Sequence, residues 1–127
     1  LQAGRKWLWI EGNHDAGPVD IGGTHMAQTT IGNLTLRHIA TDEEAEISGH
    51  YHPKHAVAGT ARPCFLYDTR RLIMPAFGTY TGGLRSDAAP LKALFPHGAI
   101  AVLTGKSAIA TPLGKNQRPQ DSRGMSY

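Results

Sequence analysis

The sequence predicts an α/β protein in which strands dominate and helices number one or two. Three observations carry that expectation. The first is an apolar strand, Trp7-Leu-Trp-Ile10, that stops at Gly12 and delivers three polar residues at its tip. The second is a series of hairpin patterns, each made of alternating or apolar runs around a short turn. The third is a single short helix signal near residue 90.

Trp7 to Ile10 reads as a buried strand, since four apolar residues in a row leave no solvent face. Gly12 permits a sharp turn or a close approach. Asn13, His14 and Asp15 then follow directly, an amide, an imidazole and a carboxylate that suit a metal ion and acid–base chemistry. In open α/β sheets, ligands collect at the carboxyl ends of strands. The bland alternative is a polar turn with Asn and Asp in ordinary turn positions.

The Gly- and Pro-rich stretch Ala16 to Gly23 reads as a loop. Gln28 to Ile31, a Gly32-Asn33 turn and Leu34 to His38 form a hairpin pattern. Alternation sets Leu34, Leu36 and His38 on one face, read as core-facing, and Thr35 and Arg37 on the other. Acidic residues cluster at Asp42, Glu43, Glu44 and Glu46. The segment Gly49-His-Tyr-His-Pro53 carries His50 and His52 two apart, and in extended backbone both imidazoles would share a face. His55 reads as solvated, and His25 and His97 as bystanders.

Arg62 to Tyr67, a turn at Asp68 to Arg71, and Leu72 to Phe77 make a second hairpin, whose return strand Pro75 places at an edge or brings to an end. Gly78 to Gly83 is a loop able to fold over a site. Ser86 is the expected N-cap of a helix over Asp87 to Phe95, with Pro90 in or opening its first turn. Gly98 to Thr104 and Ser107 to Pro112 pair as a last hairpin. From Gly114 the chain is polar and aperiodic, and residues 115–127 read as a disordered tail.

Bulk properties narrow the function classes. A length of 127 residues suits one domain, with 40% hydrophobic and 18% charged residues. No apolar run has the length of a membrane span, and the first residues contain no apolar signal core. The lone Cys64, which can form no internal disulfide, reads as a small buried hydrophobe, and its solitude favours a cytoplasmic location. Of the net +3, the tail from Lys115 supplies +2, Arg5 and Lys6 lie at the head, and the middle is slightly acidic. Charge therefore argues against long duplex DNA and for a small substrate or short nucleic acid.

Gly12-Asn-His-Asp15, then His38, then Gly49-His-Tyr-His52 resemble, in this order, the later motifs of the calcineurin-like metallophosphoesterases, G-N-H-[D/E], a single His, and G-H-x-H. The flanks resemble the bacterial ligase-associated DNA-damage-response endonuclease branch: Leu36-Arg-His38, Ile47 to Pro53, Leu72 to Gly78 and Thr81-Gly-Gly83. The resemblance covers roughly residues 5 to 114. It implies an α/β/β/α sandwich, with residues 1–114 as the strand-rich carboxy-terminal half.

The resemblance further implies a phosphodiesterase, associated with DNA repair, that uses two divalent ions: manganese first, iron or zinc otherwise. Asn13, His38 and His50 would bind one ion and His52 the other. His14 would protonate the leaving oxygen while a metal-bridging hydroxide attacks phosphorus, and Asp15 would support the ligands from behind. A phosphoester, possibly DNA, would be the substrate, with DNA-ligase-associated proteins as partners and no membrane. The family's earlier motifs, D-x-H and G-D-x-x-D, have no counterpart among the residues before Gly12. That departure, with a chain that opens without methionine, implies a missing amino-terminal portion, a catalytically poor polypeptide, and an exposed apolar sheet face awaiting a complementing half. Two other readings stay open: a phosphoesterase for a small nucleotide or lipid-linked phosphate, and a non-catalytic fragment that binds metal or a partner.

Overall fold

The computed structural model describes residues 4–12, 24–77 and 82–113. Among them are the strands β1 (Leu8–Ile10), β2 (Thr24–Met26), β3 (Gln28–Ile31), β4 (Leu34–Arg37), β5 (Glu46–Ser48), β6 (Lys54–Val57), β7 (Thr60–Tyr67) and β8 (Arg71–Ile73). The helix α1 (Ala89–Leu94) follows, then β9 (Ala99–Leu103) and β10 (Ile109–Leu113). The main sheet runs β10-β9-β7-β8-β5-β4-β3, with β6 also paired to β7, and β1 and β2 form a separate two-stranded sheet. Strands β4, β5 and β8 are parallel and their neighbours antiparallel. The strand-rich α/β class is as the sequence predicts.

Three expected hairpins form, because each joins compatible runs through a turn whose chemistry fits. Gly32 takes φ 61° between β3 and β4, the left-handed conformation a two-residue turn demands. Between β7 and β8, the Asp68 carboxylate accepts from the amides of Arg70 and Arg71 at 2.8 and 3.1 Å. Strands β9 and β10 pair from Ile109–Leu103 to Leu113–Ala99. Strand β8 ends two residues before Pro75 and lies between β5 and β7, so the proline terminates an inner strand. The helix is shorter than expected and Ser86 does not cap it: the N-cap is Ala88, without a side-chain bond. The Ser86 hydroxyl is engaged by His55 instead.

One face of the main sheet makes the core, where Cys64, Leu66, Ile73, Ala101 and Leu103 are covered by Leu91 of α1 and by Phe95, which follows the helix. On that same face, nearer β4, lies a polar anchor. Glu46 and Arg71 are 1% and 4% exposed. The Glu46 carboxylate accepts from the Thr41 amide (3.0 Å) and hydroxyl (3.0 Å), with Arg37 and Arg71 nitrogens each at 3.6 Å. Arg71 in turn donates to the carbonyls of Thr41 and Glu43. Glu46 thus stands apart from its acidic neighbours Asp42, Glu43 and Glu44, which are exposed, and is the peg that holds the β4–β5 connection.

The opposite face carries a row in register, Leu36, Ile47, Leu72, Tyr67 and Ile100, of which none is buried. The core-facing reading of Leu34, Leu36 and His38 is therefore corrected. Leu34 is exposed, Leu36 and His38 half-buried, and the face that α1 and the anchor cover is the one bearing Arg37. The buried reading of the first strand is corrected as well. Leu8 is exposed and Ile10 half-buried, because among the described residues the one strand partner of β1 is β2. Its tryptophans are shielded by stacking, Trp7 on Trp9 at 5.7 Å and Trp9 on His25 at 6.4 Å. The expected loop at 16–23, the tip residues Asn13, His14 and Asp15, and the tail lie outside the described residues.

Candidate metal centre

Parallel strands β4 and β5 end side by side, and the backbone ties their exits together. The His38 carbonyl accepts from the amides of Gly49 (3.0 Å) and His50 (2.8 Å). This brings His38 Nε2 and His50 Nδ1 to 2.8 Å, with the rings edge-on at 4.7 Å between centroids. One of the two nitrogens donates to the other, so the rings hold complementary tautomers. Nitrogens bound to one cation at about 2.1 Å stand roughly 3.0–3.4 Å apart for the usual bond angles. An ion could thus enter between these imidazoles with a side-chain adjustment of a few tenths of an ångström. The donor set fits a borderline divalent metal.

His52 reaches the site differently from the expectation of extended backbone. Residues 49–52 form a turn closed by the His52 amide on the Gly49 carbonyl at 3.1 Å, and His52 itself takes φ 48°. A left-handed residue of this type costs about 1–2 kcal/mol, so the surroundings must hold it. The fixing contacts follow immediately: Pro53 is buried, and its carbonyl accepts from the Cys64 amide at 2.9 Å. His50 and His52 nonetheless line one cavity of about 450 Å³, with His38, Tyr51 and the segment Gly82 to Leu84.

Two glycines make this close assembly possible. A Cβ on Gly12 would lie 2.8 Å from His38 Cε1 and 2.9 Å from Nδ1. A Cβ on Gly83 would collide with the His52 carbonyl oxygen. Gly12, just past the first strand, and Gly83 therefore both press against the histidines. The sequence predicts a loop over the site at Gly78 to Gly83, of which Gly82 and Gly83 are described and line the cavity. Sequence reasoning missed Tyr51, whose ring meets His50 edge-on at 5.1 Å.

Among the described residues, no group of three or more His, Cys, Asp or Glu is disposed to hold a metal ion. Two expected ligands, His38 and His50, meet, His52 shares their cavity, and Asn13, His14 and Asp15 lie outside the described residues. His25 stands 3.4 Å from the Glu11 carboxylate, away from the cavity lining. His55 is corrected from solvated to half-buried and hydrogen-bonded. Cys64 is buried as expected, and desolvation pushes its thiol up to about 11, so it stays protonated and inert at neutral pH. Among the described residues no helix is long and apolar enough to cross a membrane.

No protein-family model and no curated protein matches the sequence. Among solved structures, the chain is similar to the nuclease MPE of Pseudomonas putida, known from its crystal structure, with 27% identity and a TM-score of 0.61. The chain shares the fold of a bacterial nuclease. The alignment takes in 88% of this chain and 56% of that one, so the chain spans little more than half the nuclease's length.

Proposed function

We propose that this chain carries part of the active site of a metal-dependent phosphodiesterase of nuclease type, of the DNA-repair-associated metallophosphoesterase branch. The observation that supports the reading best is the His38–His50 pair at 2.8 Å, lining a cavity at the carboxyl ends of parallel strands, in a chain that shares its fold with a nuclease. In this reading His38 and His50, with Asn13, hold one divalent ion, manganese in the first instance, and His52 belongs to a second. When bound, the ions would neutralise charge on the phosphoryl and leaving oxygens. His14 would donate a proton to the leaving oxygen, and Asp15 would support it. Tyr51 and the Gly82 to Leu84 segment wall the cavity.

On this reading catalysis calls for further ligands of the kind that the family's D-x-H and G-D-x-x-D motifs supply, beside Asn13, His38, His50 and His52. Calorimetric titration with manganese tests the proposal. The expected result is weak binding to this chain and loss of binding in His50→Ala. A version carrying the D-x-H and G-D-x-x-D motifs ahead of Leu1 should bind two ions and cleave bis(p-nitrophenyl) phosphate. If His50→Ala binds as the parent does and the extended version takes up no metal, the imidazole pair is structural and the reading fails.

A further inference from the structure

A second cavity, of about 370 Å³, is lined in part by Arg85, Ser86 and Asp87, which directly follow the segment that walls the histidines. Its floor is apolar: Leu66 of β7, Leu91 of α1, Phe95 just after the helix, Ala99 of β9 and Leu113 of β10. One wall holds His55 and Ser86, with Nδ1 and Oγ 2.7 Å apart. This pair is positioned by backbone rather than by chance of rotamer. The Lys54 amide donates to the Leu84 carbonyl at 2.9 Å, and the Ser86 amide to the Lys54 carbonyl at 2.8 Å. Residues 84–86 therefore run beside β6 like a short added strand, with Lys54 bridged to Arg85.

The rim is charged. Arg85, Asp87 and Lys92 all line the opening, and Arg85 and Asp87 pair with each other at 3.2 Å. One positive charge is left in excess, contributed at Lys92. The hydrogen-bonded His55–Ser86 pair adds a donor in either tautomer. If the hydroxyl donates to Nδ1, the proton sits on Nε2; if Nδ1–H donates, the hydroxyl proton is free. An apolar floor, a neutral donor pair and a single surplus cation match a molecule with an apolar body and one negative charge. The volume stands at the small end of ordinary ligand cavities.

We propose that this cavity binds a small amphiphilic monoanion, a medium-chain or aromatic carboxylate. The apolar body lies over Phe95, Ala99 and Leu113, and the carboxylate is received by Ser86, His55 and Lys92. The site is separate from the histidine cavity and uses none of its side chains.

Octanoate is the probe, titrated into the full chain by calorimetry and by amide chemical shifts in NMR, with 1-octanol as the uncharged comparison. Saturable binding is expected, with shifts at Ser86, Leu91 and Phe95. Loss of one charge-assisted hydrogen bond should weaken binding roughly tenfold, so Ser86→Ala, Lys92→Glu and the replacement of octanoate by octanol each lower affinity by about that factor. Lys92 is exposed, so its variant folds and keeps the test decisive if Ser86→Ala proves unstable. His38→Ala should leave octanoate binding unchanged. Non-saturable binding, equal affinity for octanol, indifference to Lys92→Glu, or shifts centred on His38 and His50 would each overturn the proposal.

Discussion

Strand β5 enters the sheet at Glu46 and leaves it toward His50, and the two ends are built in opposite ways. At the entry, a carboxylate that is 1% exposed accepts hydrogen bonds from Thr41 while two arginines stand at 3.6 Å. At the exit, two half-buried imidazoles hydrogen-bond each other beside a cavity, and the residue after next holds a positive φ. The first region buries its charges against one another, while the second keeps ligand atoms near solvent. A fold that fixes one end of its parallel strands this firmly can hold unusual backbone at the other. The polar anchor is, on this view, what permits the histidine site.

The largest effect should follow from breaking the anchor. Glu46→Ala leaves the Arg71 side chain, 1% exposed, as a buried charge without its carboxylate. Among the described residues, the Nε atoms of Arg37 and Arg71 already lack hydrogen-bond partners, and no second carboxylate is buried beside them. Removing one partner of a buried ion pair costs about 3–5 kcal/mol. Urea unfolding should show a loss of that size, and the β4–β5 connection should lose amide protection first. A loss under about 1 kcal/mol would class the cluster with ordinary surface pairs and dissolve the contrast between the two ends.

A smaller effect is expected at the open end from Gly12→Ala. The added methyl would sit 2.8 Å from the His38 ring, so the imidazole must move. Overpacking of this kind costs about 1–3 kcal/mol where the neighbour cannot yield. Here the neighbour is a side chain beside a cavity, so the stability loss should fall at the low end. The ring nitrogens should respond more: the His38–His50 hydrogen bond opens, visible in imidazole nitrogen shifts, and manganese affinity falls. Unchanged shifts would mean that the first strand does not bear on the site.

These contrasts also separate what the sequence discloses from what it hides. The β3–β4, β7–β8 and β9–β10 hairpins were legible because alternation and a turn residue are local signals. The burial of Cys64 was legible from its place in an apolar run. The set His38, His50 and His52 was legible as a constellation from strand-end position and spacing, and the resemblance gave it a chemistry. The left-handed backbone of His52 was not legible, because it depends on contacts of residues 49–53 with β4 and β7. In the sequence Glu46 was one of four clustered acids, and its buried role was not legible because its partners Arg37 and Arg71 lie on separate strands. The Glu-Ile-Ser alternation of β5 was the available signal, with Glu46 and Ser48 on one face and only Ile47 opposite. His55 and Ser86, 31 residues apart, left no local trace of their pairing.

The smallest effect sharpens the comparison from the other side. Arg85 and Asp87 form an ion pair with the same chemical groups as the anchor, at 3.2 Å, but on a fully exposed turn. The hydrogen bond from Arg85 holds the Asp87 carboxyl below its ordinary 3.8, with the guanidinium charge adding to it. A depressed carboxyl pKa adds stability above the unfolded value, and that contribution is lost as pH falls through the folded value. Solvent and salt screen the pair, and holding two long side chains costs entropy. Asp87→Asn should therefore leave the thermal midpoint unchanged at neutral pH, with parent and variant alike again below the folded pKa. The comparison with Glu46→Ala then isolates burial as the variable, because carboxylate, guanidinium and pairing are common to both. A clear fall in midpoint for Asp87→Asn at neutral pH, abolished by salt, would show instead that pairing alone carries stability in this chain, wherever it occurs.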